Sequence, residues 1–199
     1  MEQLFSLKGK VAVVTGGNGG IGKGIGKGLA RAGADIVIAA RNRDKTERAV
    51  RDIQDRFGVR VMGVQVDVRR EDEIKAMVRE ALEAFGRIDI LVNNAGINIK
   101  KYPQEFTAAE WDQVLEINLR GSFLCAQAVY PAMKAQGGGK IINVGSMTSL
   151  FGGGRFAPYG ASKGGIVQMA RDLAVAWAPD NIQVNTLPVS YTHLTLPTN

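Results

Sequence analysis

Six short apolar runs recur along the chain, rich in β-branched residues and bounded by Gly, Asp or Asn. They are KVAVVT (10–15), DIVIAA (35–40), RVMGVQV (60–66), IDILVN (88–93), KIINVG (140–145) and IQVNTL (182–187). Runs of this length and composition predict buried strands. Helical patterns lie between them. Residues 44–57 alternate as an amphipathic helix that stops before Gly58. Residues 71–85 open with acids, which favour a helix N-terminus, and stop before Gly86. Thr107 and Glu110 have the spacing of a capping box, starting a helix that runs to about Gln136. A further helix spans about 158–178 and ends at Pro179. Strands apolar throughout, alternating with helices, predict an α/β domain with a parallel sheet covered on both faces.

Composition narrows the function. The chain has 199 residues, 45% hydrophobic and 22% charged, which suits one soluble domain with a sizeable core. The net charge of +6 is spread over helices and mixed with acids, as in Arg51/Asp52 and Arg69/Arg70/Glu71/Asp72. That reads as a solvated surface, and no nucleic-acid partner is expected. A single cysteine, Cys125, excludes an internal disulfide, and its apolar setting in SFLCAQAV predicts core packing. There is no signal-like start and no membrane-length apolar stretch, so a cytoplasmic protein without a membrane partner is expected. No metal site is expected.

TGGNGGIGKGIG (15–26) joins the first strand to the first helix. Glycines there let the backbone turn sharply and approach a pyrophosphate, while the helix N-terminus offers free N–H groups. The additional Gly24, Gly26 and Gly28 are expected to allow close helix–sheet packing. Thr15-Gly16-Gly17-Asn18-Gly19-Gly20-Ile21-Gly22 resembles the TGxxxGIG motif of the short-chain dehydrogenases/reductases. Asn93-Asn94-Ala95-Gly96 resembles their NNAG motif, and Tyr159-Gly160-Ala161-Ser162-Lys163 their YxxxK motif. Ser146 lies thirteen residues before that tyrosine, and Asn118 in EINLRGSF matches the family's fourth catalytic position. The resemblance covers about residues 5–187.

The resemblance implies a doubly wound Rossmann fold with strand order 3-2-1-4-5-6. It makes Asn118, Ser146, Tyr159 and Lys163 catalytic: Tyr159 as acid/base, Lys163 lowering its pKa and binding the nicotinamide ribose, Ser146 bonding the substrate oxygen, Asn118 holding a relay water. Tyr159 and Lys163 stand four apart, so a helix projects both from one face. Thr15, Gly16, Asn18, Gly20, Ile21 and Gly22 would cradle the cofactor. Asp67 and Val68 would border its adenine, although a helix-capping role for Asp67 is the alternative. Asn94, Ala95 and Gly96 would border the adenine ribose. At the end of the second strand the chain has Ala39-Ala40-Arg41 and no carboxylate. Arg41 suits a 2′-phosphate, so NADP is preferred over NAD, despite Gly19 standing where NADP-preferring relatives often carry a base.

The loops NAGINIKKYPQEF and GSMTSLFGGGRFAPYG resemble those of relatives acting on sugars, sugar acids and polyols. An alcohol–ketone oxidoreductase for such a small molecule is expected. A 3-oxoacyl-thioester reductase is the alternative, and a nucleotide-binding protein without turnover the rival of another class. Lys100, Lys101 and Arg155 are candidates to meet a carboxylate. The helices at 108–136 and 158–178 match those that pair between subunits in the family, implying a homodimer or homotetramer.

The chain departs from the family after Leu187. Pro188-Val189-Ser190 replaces the expected continuation, and residues 189–198 read as the translation of a sequencing-library transposase adapter. The expectation is therefore a domain at 1–187, lacking its last edge strand and substrate lid, and a non-native tail at 188–199.

Overall fold

The computed structural model describes residues 5–189. Six parallel strands form one sheet: β1 (Val11–Thr15), β2 (Asp35–Ala40), β3 (Val61–Gln65), β4 (Ile90–Asn93), β5 (Gly139–Val144) and β6 (Ile182–Leu187). Their order is β3-β2-β1-β4-β5-β6. Because β1 has β2 on one side and β4 on the other, the chain reverses its winding there. A crevice opens between β1 and β4 at their C-terminal ends, where open α/β sheets bind ligands.

Helices cover both faces: α1 (Gly20–Arg31), α2 (Arg43–Phe57), α3 (Glu71–Phe85), α4 (Ala108–Leu115), α5 (Gly121–Ala135) and α6 (Ala157–Trp177). Alternate strand residues feed two cores. Ala12, Val14, Ile36, Ile38 and Val92 pack with Ala30, Ala49 and Ile53 of α1 and α2. Val13, Val37, Leu91 and Ile141 pack with Ile74 and Met77 of α3 and with Cys125, Val129 and Met133 of α5. Cys125 is thus a core residue, and burial pushes its thiol up to about 12, which leaves it inert as a nucleophile.

The helix starts follow their caps. Asn42 accepts the N–H of Lys45 at 2.8 Å, and Thr107 and Glu110 form the reciprocal capping box of α4. Gly58 and Gly86 end α2 and α3 in left-handed conformation, φ 66° and 75°.

Two expectations differ from the structure. The helix expected across 107–136 is interrupted by a π-helical turn at Glu116–Arg120, which separates α4 from α5. Asn118 stands in that turn with its side chain turned away to tie other segments, and the Ser122 hydroxyl donates to its carbonyl at 2.6 Å. The second difference concerns the glycines of α1. Of Gly24, Gly26 and Gly28, only Gly26 faces a neighbour, and a Cβ there would make ordinary van der Waals contact with Ile53 at 3.5 Å, while Gly24 and Gly28 face open space.

At the far edge, the Gly145 N–H donates to the Leu187 carbonyl and the Met147 N–H to the Val189 carbonyl. The expected tail boundary falls here, and its residues 190–199 lie outside the described residues.

Candidate active site

The first cluster is built on the β1–α1 turn. Gly16 has φ 64°, and a Cβ on it would stand 2.9 Å from Asn94 Nδ2. A Cβ on Gly22 would stand 2.4 Å from both Asn94 Nδ2 and the Gly16 carbonyl oxygen. These two positions therefore accept only glycine, which lets the turn fold tightly over the end of β4. Thr15 and Asn94 lock it there. The Thr15 hydroxyl donates to the Val92 carbonyl and accepts the N–H groups of Asn94 and Ala95, at 3.2, 3.0 and 3.1 Å. The Asn94 amide donates to the carbonyls of Thr15 and Gly16 at 3.0 and 3.3 Å. Asn18 ties the turn sideways to α2, donating to Thr46 Oγ1 at 3.1 Å.

Gly19 is the N-cap of α1 and offers no side chain to its first turn. The N–H groups of Gly20, Ile21 and Gly22 are left for a ligand at the positive end of the helix dipole. Beside the turn, lined by its Gly16 and Asn18, lies a cleft of about 600 Å³. It gathers the predicted Gly16, Asn18, Arg41, Asp67, Val68, Ala95 and Gly96, with Ala39 and Ala40 as its apolar floor. Thr15, Gly22 and Asn94 stand behind this lining as its frame. An uncapped helix start, a turn that only glycine permits and an open cleft at the sheet's switch point fit a dinucleotide.

Asp67 sits on the cleft wall with its carboxylate held by Arg69, whose Nε lies 3.1 and 3.0 Å from the two oxygens. That pairing holds the carboxyl below its ordinary pKa, so it is ionised. Asp67 does not cap α3, whose N-cap is Arg70. Lys45 also lines the cleft and escaped the sequence reading. The available signal was its position four residues after Arg41, at the start of a helix.

The second cluster stands at the ends of β5 and α6. Tyr159 and Lys163 share α6, and the lysine Nζ is 5.8 Å from the centre of the tyrosine ring. Lys163 is 4% exposed and donates to the Val144 carbonyl at 2.6 Å. Burial disfavours its charged form and lowers its pKa to about 8. Ser146 follows β5, buried, with its Oγ accepting from the N–H and hydroxyl of Thr148 at 3.2 and 3.0 Å. Those bonds leave the serine proton for another acceptor.

Asn118 is fully buried. Its amide bonds both backbone groups of Ile97, at 2.8 and 2.9 Å, and donates to Ser162 Oγ at 3.0 Å. Ser162 in turn donates to the Tyr159 carbonyl at 2.7 Å. Asn118 thus connects the loop after β4 to the helix turn that carries the tyrosine. Ser162 and the Ile97 backbone completed this link unannounced, since neither residue type carries a signal without the fold. Of the three cations expected to meet a substrate carboxylate, Lys101 is taken by Glu110. Arg155 lies 4.2 Å over the Tyr102 ring, and Lys100 5.8 Å from the Phe156 ring.

A dinucleotide cleft beside a Ser–Tyr–Lys cluster defines the class as a nicotinamide-dependent oxidoreductase. The family model described as short chain dehydrogenase matches residues 10–196, and the chain belongs to that family. It is 43% identical over 188 residues to the 2-dehydro-3-deoxy-D-gluconate 5-dehydrogenase of Escherichia coli, covering 94% of this chain and 73% of that relative. Its structure matches L-sorbose reductase from Gluconobacter frateurii, complexed with NADPH and L-sorbose. That match has TM-score 0.90 and 35% identity, over 92% of this chain and 70% of the other. NAD+-bound xylitol dehydrogenase matches with TM-score 0.90 and 34% identity, over 92% and 71%. The chain is a short-chain dehydrogenase/reductase with an NAD(P) cofactor, acting on CH–OH groups.

Proposed function

We propose that the protein interconverts a secondary alcohol and a ketone on a sugar, sugar acid or polyol, with NADP(H) preferred. The observation that carries the reaction is the Ser146–Tyr159–Lys163 cluster beside the cleft. The cofactor, when bound, supplies or accepts the hydride. The chain's own residues handle the accompanying proton. Tyr159 transfers it to or from the substrate oxygen, and Ser146 donates a hydrogen bond to that oxygen. Lys163, held on the same helix face, favours the tyrosinate and meets the nicotinamide ribose. Asn118 carries a relay water toward Lys163 and holds the Ile97 loop.

The substrate class rests on two supports. Relatives named for gluconate derivatives, glycerol and 5-keto-gluconate stand among the most similar curated proteins. In the loops after β4 and β5, Lys100 and Arg155 have no carboxylate partner among the described residues and suit an acidic substrate. A second reading, reduction of a 3-oxoacyl thioester, is favoured by the exposed Leu150 and Phe151 nearby, 63% and 64% accessible. A substrate panel of sugar acids, polyols and 3-oxoacyl thioesters, followed by nicotinamide absorbance, separates them. Turnover of a sugar acid, with Arg155→Ala raising KM about tenfold and leaving polyols unaffected, is the expected outcome. Turnover of thioesters alone would reverse the assignment, and nucleotide binding without any turnover would favour a silent binding protein.

Self-association as a homodimer or homotetramer is proposed through α4, α5 and α6. Leu115, Leu119, Phe123, Met169 and Leu173 line an open apolar groove on that face.

A further inference from the structure

We propose that Tyr102 and Phe156 are positioning residues whose ring faces hold Arg155 and Lys100 in place, still charged, for the carboxylate of a sugar acid. The inference rests on the sugar-acid reading above and names what sets the two cations of that reading.

The pairing is reciprocal between two segments. Residues 94–107 link β4 to α4, and residues 145–156 link β5 to α6. Each segment gives the other one cation and one ring. Arg155 of the later segment lies 4.2 Å over the Tyr102 ring of the earlier one. Lys100 of the earlier segment lies 5.8 Å from the centre of the Phe156 ring of the later one. Both segments are tied to the proposed catalytic residues. The later one contains Ser146 and leads into the first turn of α6, which carries Tyr159. The earlier one is bound at the Ile97 backbone by Asn118.

The rings are themselves fixed. The Tyr102 N–H donates to Glu105 Oε2 at 3.0 Å, and the Tyr102 carbonyl accepts the Glu105 N–H at 3.0 Å, so the chain turns at the ring. Phe156 packs against Gly153, where a Cβ would stand 2.6 Å from the ring Cδ2. The Phe156 carbonyl accepts the Gly160 N–H at 2.6 Å, which joins the ring's backbone to α6.

The choice of partner decides what each cation can still do. A carboxylate partner neutralises a cation and occupies its donors. Lys101, between Lys100 and Tyr102, is spent in this way on Glu110. A ring face attracts a cation through its quadrupole and carries no net charge. It leaves free the N–H donors that point away from the ring. Arg155 and Lys100 have no carboxylate ion pair among the described residues, so both keep their charge. A guanidinium held in this way suits a carboxylate, which it can meet with two parallel hydrogen bonds.

The test reads one resonance and one preference on the full chain, for wild type, Tyr102→Leu, Tyr102→Phe, Phe156→Leu and Arg155→Ala. Tyr102 is 45% exposed, so its replacement leaves the core intact. The Arg155 Nε–H resonance, assigned by its loss in Arg155→Ala, should be displaced upfield by the ring in wild type and in Tyr102→Phe. It should return to the free-arginine position in Tyr102→Leu. The substrates are gluconate and glucitol, which carries CH2OH in place of the carboxylate. The ratio of their kcat/KM values should fall about fivefold in Tyr102→Leu, through KM for gluconate, and be restored in Tyr102→Phe. Phe156→Leu, whose cation stands farther off, should lower the ratio about twofold. The inference is overturned if the wild-type resonance is not displaced. It is also overturned if Tyr102→Leu keeps the preference that Arg155→Ala loses, or if Tyr102→Phe falls as far as Tyr102→Leu. A wild type that prefers glucitol while the Arg155 resonance is displaced would instead remove the sugar-acid reading, and the role of the rings with it.

Discussion

Lys163 concentrates the energetic conflict of the site. The proposed mechanism requires its ammonium beside Tyr159, yet burial lowers its pKa from the ordinary 10.5 to about 8. The unfolded chain keeps the ordinary value, so between pH 8 and 10.5 the unfolded state binds more protons than the folded one. Folding stability contributed by this residue therefore rises with pH across that window, and the cost is fully present below it. Against Lys163→Met, which has no titrating group there, wild type should gain up to about 3 kcal/mol between pH 7 and 11. Urea titrations at those two pH values check it. An equal difference at both would show that Lys163 is not burying its charge. The Ser, Tyr, Lys and Asn proposed for this site were legible through the family resemblance, because a Tyr and Lys four apart on a helix are by themselves ordinary neighbours. Ser162 was not, since a serine within a helix acquires a role only when the fold brings Asn118 to it.

The helices show which local rules carried through and which did not. Caps were readable because they are contacts over three or four residues: Thr107–Glu110, Gly58 and Gly86 all stand where the sequence puts them. The π-helical turn at Glu116–Arg120 was not readable, because it coincides with long-range ties from Asn118 to Ile97 and Ser162 that only the fold brings together. The glycines of α1 were misjudged for a related reason. Periodicity cannot tell a glycine required by a neighbour from one facing water. Gly24→Ala and Gly28→Ala should each stabilise the fold by about 1 kcal/mol, since open space surrounds both. Thermal denaturation should show this as a rise of a few degrees for each. Gly22→Ala, by contrast, should disrupt the turn and lose nucleotide binding. A stable Gly22→Ala chain that still binds nucleotide would contradict the account of the turn.

At the scale of the whole molecule, the parallel sheet was legible because uninterrupted apolar strands alternate with helices, whereas its order 3-2-1-4-5-6 was legible only through the family resemblance. The surfaces were less so, since exposure depends on how helices pack. The face of α4, α5 and α6 leaves Phe123 37% and Val175 79% accessible. Phe123 also lines the apolar groove there. If this face joins subunits, Phe123→Glu should place a charge in the contact and shift the protein to monomers while preserving its circular dichroism. Sedimentation velocity reads the change. An unchanged sedimentation coefficient for an oligomeric wild type would move the interface elsewhere.

The central claim is that Tyr159 moves the proton that accompanies hydride transfer in the cleft-side cluster. Turnover of a sugar acid with NADP(H) by wild type and Tyr159→Phe, with 2′,5′-ADP binding measured on the same samples, tests it most directly. The account predicts that the variant binds the nucleotide like wild type and loses at least about a hundredfold in kcat. A variant that binds equally well and turns over at the wild-type rate would contradict it.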